Sequence, residues 1–191
     1  MIPAVLGIAS GTFLLLHKDD DEAAPKPEGD LEIPLPGITR KQWVAFLKAA
    51  MQGKPDMVSP SFRLGTFGLS VRRLCDLGAM KNPRIMFFGD PQQQVWDAQW
   101  KEPKTLRDFQ RRPMVQYDLF VRSIKDYADN PQVKSNVNRN VDGVSLTLSG
   151  VLMLAQRAGL GGMARWLESE KVRQRFADNT TAFVKRANGI F

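Results

Sequence analysis

The chain has one cysteine, Cys75, and one histidine, His17, in 191 residues. A lone cysteine excludes an intrachain disulfide, and Cys75 reads as a packed helix residue. A lone histidine beside the apolar N-terminus excludes a histidine cluster for a metal. It also argues against a Ser-His-Asp triad in the folded body. No motif calls for a cofactor. No basic residue precedes Ile2, so the positive n-region of a signal peptide is missing. No fixed-period repeat divides the chain.

Hydrophobic residues make up 43% of the chain, enough for one buried core and an appendage. The net charge is +7 but it is uneven. Residues 18–37, "KDDDEAAPKPEGDLEIPLPG", hold seven acids against Lys18 and Lys26. That segment carries −5, which leaves +12 elsewhere. A basic body attracts polyanions: nucleic acid, anionic lipid headgroups or acidic cell-wall polymer.

Three regions follow from the pattern. Residues 1–17 form an apolar segment, with fifteen uncharged residues from Ile2 to Leu16. A full membrane span takes about 20 residues, so this is a short or tilted anchor, a signal-like segment or an assembly helix. Residues 18–37 read as an extended linker, because acids, four prolines and two glycines oppose packing. Residues 38–191 form the body.

The body is expected to be mainly α, with about seven helices and at most a small β-hairpin. Thr39 caps a first helix whose Trp43, Phe46, Leu47 and Ala50 share one face. A second helix is expected within "FGLSVRRLCDLGAM", ending at Gly78. Residues 81–104 are broken by three prolines. From Thr105 to Asn130 the pattern is helical, interrupted near Pro113. Its inner surface is Met114, Tyr117, Leu119, Phe120, Ile124 and Tyr127. "NPQVKSNVNRNVDG" reads as a polar loop. A helical hairpin follows, capped by Ser145 or Thr147 and turned by "AGLGG". A terminal helix closes the chain.

Three blocks, in this order, carry a family resemblance. "LGTFGLSVRRLCDLG" is similar to a Gly-x-Tyr-Gln-Phe-Gly segment leading into a helix that ends Leu-x-Asp-Leu-Gly. In "TLRDFQRRPMVQYDLFVRSIKDY", Pro113, Gln116 and Tyr117 fit a Pro-x-x-Gln run before a long helix. In "VSLTLSGVLMLAQRAGLGGMARWL", Ser149, Gly150, Gly159, Gly161 and Gly162 match a Thr-x-Ser-Gly hairpin with a Gly-x-Gly-Gly turn. Residues 40–191 thus resemble the lysozyme-like superfamily, the helical peptidoglycan-cleaving or peptidoglycan-binding domains of bacteria and phages.

That resemblance implies a glutamic acid closing the first helix, kept protonated by an apolar setting so that it donates to the glycosidic oxygen. Here Met51, Gln52, Gly53, Lys54 and Pro55 include no acid. Phe67 and Gly68 stand where the family has tyrosine and glutamine. The expected outcome is a domain without catalysis, acting in peptidoglycan binding or in the structural assembly of a phage virion or cell-envelope complex. Its partners would then be peptidoglycan or envelope and virion proteins, with membrane contact through Ile2–Leu16. Two alternatives stand beside it. One is an active glycan-strand hydrolase with a displaced acid, Asp56 or Glu102. The other is a basic helical protein binding nucleic acid or anionic lipid; it is less favoured, since "VRRL", "RRP" and "KRAN" are scattered. Arg63, Phe67, Trp96, Trp100 and Tyr117 are the candidate substrate-binding residues. Trp43 and Trp166 are expected in the core.

Overall fold

The computed structural model describes residues 33–59, 62–81, 99–175 and 180–191. The apolar segment Ile2–Leu16, the linker up to residue 32, and Trp96 lie outside the described residues.

The body is mainly helical. In chain order come α1 (Arg40–Ala50), β1 (Arg63–Leu64), β2 (Leu69–Ser70), α2 (Val71–Asp76), α3 (Leu106–Arg111), α4 (Pro113–Asp129) and α5 (Pro131–Lys134). Then follow β3 (Asn140–Val141), β4 (Val144–Ser145), α6 (Leu148–Glu168), α7 (Glu170–Arg175) and α8 (Ala182–Ala187). The described residues therefore hold eight helices, one more than expected, and two antiparallel two-stranded ladders, β1–β2 and β3–β4.

α1 begins with a capping box. Thr39 Oγ1 accepts from the Gln42 amide, and Gln42 Oε1 accepts from the Thr39 amide at 3.0 Å. Its expected face is buried: Trp43, Phe46, Leu47 and Ala50. Trp43 stacks on Phe46 at 5.6 Å, and Phe120 of α4 completes the aromatic group. Leu35, inside the expected linker, is also buried in this core, so packing starts upstream of residue 38.

α6 is the central element. Val151 to Ala155 are all buried, so the first leg is apolar on every side. Such a helix needs neighbours all round; α4, α5 and α8 supply them. Thr147, not Ser145, caps it. Asn188 Oδ1 accepts from the Thr147 amide at 2.8 Å, and Ser149 Oγ donates to the Phe191 carbonyl at 3.0 Å. The chain's end thereby locks the start of α6, with Asn188 set against Gly150. The expected "AGLGG" turn is a sharp kink at Gly159 alone (φ 68°, ψ 169°). Gly161 and Gly162 continue the helix.

A second, smaller core gathers Leu64, Leu69, Leu74, Leu77, Met80, Trp100 and Phe109. Leu119 of α4 packs here, while Tyr117 and Phe120 of the same helix belong to the larger core. α4 is thus the wall between the two.

Four expectations need correction. The helix expected over residues 67–80 spans only Val71–Asp76, because Gly65 and Gly68, both with positive φ, turn the chain and Leu69–Ser70 pairs with Arg63–Leu64. The expected polar loop, residues 130–143, contains α5, β3 and the turn of the β3–β4 hairpin. Asp142 and Gly143 adopt positive φ at its two-residue turn, between Val141 and Val144. The signal "VDGV" was readable as a hairpin. Met114 is 49% exposed rather than inward-facing, since it sits on the outer side of α4's first turn. Finally, two ladders replace the single small hairpin.

Candidate functional site

The end of α1 meets the β1–β2 turn. The Gln52 amide N–H donates to the Thr66 carbonyl at 2.8 Å, and its side-chain Nε2 donates to the Phe67 carbonyl at 3.0 Å. Gly68 lies so close to the Gln52 side chain that a Cβ would collide with it. Its φ of +55° also disfavours any other residue. From α4, buried Gln116 holds the other side of the turn. Its Oε1 accepts from the Thr66 amide at 2.8 Å; its Nε2 donates to Pro55 and Phe109 carbonyls at 3.0 and 2.8 Å. Gln116 is therefore a three-way staple between loops.

The candidate residues separate on this frame. Phe67 is buried, stacked on Phe120 at 4.3 Å. Tyr117 is buried, and Trp43 Nε1 donates to its hydroxyl at 3.1 Å. Trp100 is buried against Phe109 at 5.1 Å. These three rings serve the cores and offer no face for stacking on a sugar, which corrects their assignment to a groove. Asp56 is exposed in a turn, and Glu102 is exposed and paired with Arg112 at 3.3 Å. Neither has the apolar enclosure that a general acid requires. Trp43 and Trp166 are buried as expected.

Arg63 leads elsewhere. One of its guanidinium nitrogens, Nη1, donates to the Gly68 carbonyl at 3.1 Å; the other, Nη2, donates to the Arg157 carbonyl at the end of α6's first leg. A cation suits a helix C-terminus, where the carbonyls face outward. Arg157 itself is only 7% exposed. Its guanidinium lies over the Phe183 ring, 4.3 Å from the centroid, and exposed Arg186 lies over the same ring at 4.1 Å. Nε and Nη1 of Arg157 are buried and have no hydrogen-bond partner. Among the described residues no carboxylate pairs with Arg63, Arg157 or Arg186. Burial, then the neighbouring Arg63 and Arg186 charges, lowers the Arg157 pKa to about 10. Burial likewise lowers that of Arg63. Nothing in "AQRAGLGG" announced this cluster, because Arg157 reads there as an ordinary last-turn base.

A separate cavity of about 400 Å³ lies between β3–β4, α7 and α8, and includes Trp166, Arg173, Asp142 and Lys185 in its lining. Its arginine is already committed: Arg173 donates to both Asp142 carboxylate oxygens at 2.8 and 2.7 Å. Among the described residues no group of three His, Cys, Asp or Glu side chains is placed to hold a metal ion. Nor is any described helix long and apolar enough to cross a membrane. Comparison with protein-family models, curated proteins and solved structures found no match for the chain.

Proposed function

We propose that the body is a lysozyme-like domain that does not cleave glycan, and that it acts in peptidoglycan binding or in the assembly of a phage virion or cell-envelope complex. One observation carries the reading. Where the resemblance places a proton-donating glutamic acid, the residue closing α1 against the β1–β2 turn is Gln52. Its side chain is an amide held to the Phe67 carbonyl. An amide does not titrate in water and supplies no proton to a glycosidic oxygen. The two remaining candidate acids, Asp56 and Glu102, sit in water, as described above. Binding by a basic body to the acidic peptide stems of the wall needs no such donor.

The test uses the full chain with purified peptidoglycan sacculi, following co-sedimentation and turbidity together. The expected result is co-sedimentation with no loss of turbidity. Turbidity loss by the natural chain ends the non-catalytic reading. If sacculi neither bind nor lyse, peptidoglycan binding is abandoned, leaving assembly with protein partners.

A further inference from the structure

Folded proteins seldom bury a charge without a partner, because the desolvation cost is several kcal/mol per ion. A cation over a ring recovers only part of that cost. Among the described residues Arg157 meets that cost with the Phe183 ring and no carboxylate, and two further cations stand beside it. Arg63 is better compensated, by two carbonyl oxygens and a helix end. Arg157 keeps two buried donors, Nε and Nη1, unpaired, and among the described residues two further cations and no acid stand beside it. Open buried donors of this kind call for an ion.

We propose that Arg157, with Arg186 over the same Phe183 ring and Arg63 nearby, anchors an oxyanion-binding site that takes a carboxylate or phosphate group of a ligand. A guanidinium donates charge-assisted hydrogen bonds to either group. Arg186, exposed on α8, adds its charge from the solvent side, while Arg63 adds positive potential from the β1–β2 side. The inference goes beyond the proposed function and does not depend on it: the arginines need an anion whether or not the body meets a cell wall. The two therefore fail separately, one on sacculi and the other on small anions.

The experiment measures the melting temperature of the full chain while inorganic phosphate or succinate is titrated at constant ionic strength, with chloride as the balancing salt. The expected result is a saturable rise of about 3 °C with at least one of the two anions. A response to phosphate alone assigns a phosphate-bearing ligand, and a response to succinate alone assigns a carboxylate. Arg157→Met should abolish the response. Arg157→Lys, which keeps the charge but loses the guanidinium's spread of donors, should weaken it several-fold. Arg186→Gln changes an exposed residue and leaves the core intact; it should also weaken binding. No rise beyond that in chloride overturns the proposal, as does an unchanged response in Arg157→Met. Should Arg157→Met fail to fold, an unchanged response in both Arg157→Lys and Arg186→Gln overturns it equally.

Discussion

Among the described residues four arginines lie over aromatic rings, and the three that are not exposed, Arg73, Arg157 and Arg173, have different fates. Arg73 sits 4.3 Å from the Tyr127 centroid and Arg173 5.7 Å from that of Trp166. Each also has an acid: Asp126 at 2.9 Å for Arg73, and Asp142 at 2.7 Å for Arg173. Arg73 further donates to the hydroxyl and carbonyl of Ser123, and Arg173 to the Trp166 carbonyl. Among the described residues Arg157 has the ring and no acid. Two of these sites are therefore closed structural fittings, and the third is open. A guanidinium on a ring becomes a candidate binding group only when its donors are unspent.

The largest expected effect breaks a closed site. Arg73→Met strips the Ser123 hydroxyl and carbonyl of their donor and should lower stability by about 2–3 kcal/mol, read by urea unfolding. Arg157→Met should do the reverse. It replaces an unpaired buried charge with an apolar chain of similar length and should raise stability by about 1–2 kcal/mol in the same assay without added oxyanion. Loss of stability comparable to that of Arg73→Met would show that Arg157 is already satisfied.

Asp142→Asn sharpens the contrast with a smaller step. Its carboxylate is 60% exposed, so water screens the pair with Arg173. The expected loss is about 0.5–1 kcal/mol, checked as the urea midpoint at low and high salt. The smallest effect concerns Cys75 on α2, whose thiol pKa is raised by burial and by Asp76. Less thiolate forms, so iodoacetamide at neutral pH should react several-fold more slowly than with a free-thiol peptide. Alkylation should speed up in Arg73→Met, because losing the tie from α2 to α4 loosens the helix around the cysteine.

Much of the frame was legible in local pattern. Trp43, Phe46, Leu47 and Ala50 recur at helical spacing, and all four are buried. Thr39 and Gln42 stand at capping-box spacing, and Gly159 supplies the positive φ that breaks α6. The misread stretches are those where a helical spacing of leucines competed with turn chemistry. Leu69, Leu74 and Leu77 do pack together, yet Gly65 and Gly68 make a turn and a strand out of the first part. The candidate ring residues misled for another reason. An aromatic on a sequence is equally suited to a sugar or a core, and only neighbours decide. Tyr117 found Trp43, Phe67 found Phe120 and Trp100 found Phe109.

By itself, the sequence determined the helical class, the face of the first helix, a glycine turn within "AGLGG", the basic balance of the body and the absence of an acid at the end of α1. These depend on residues a few positions apart, where periodicity and backbone chemistry act directly. The tertiary structure alone decided which arginines are paired. Arg63 and Arg157 meet across 94 residues of chain. Whether a buried guanidinium finds a carboxylate there depends on what the fold brings alongside it. Charge is written in the sequence, but its compensation is a property of position in space.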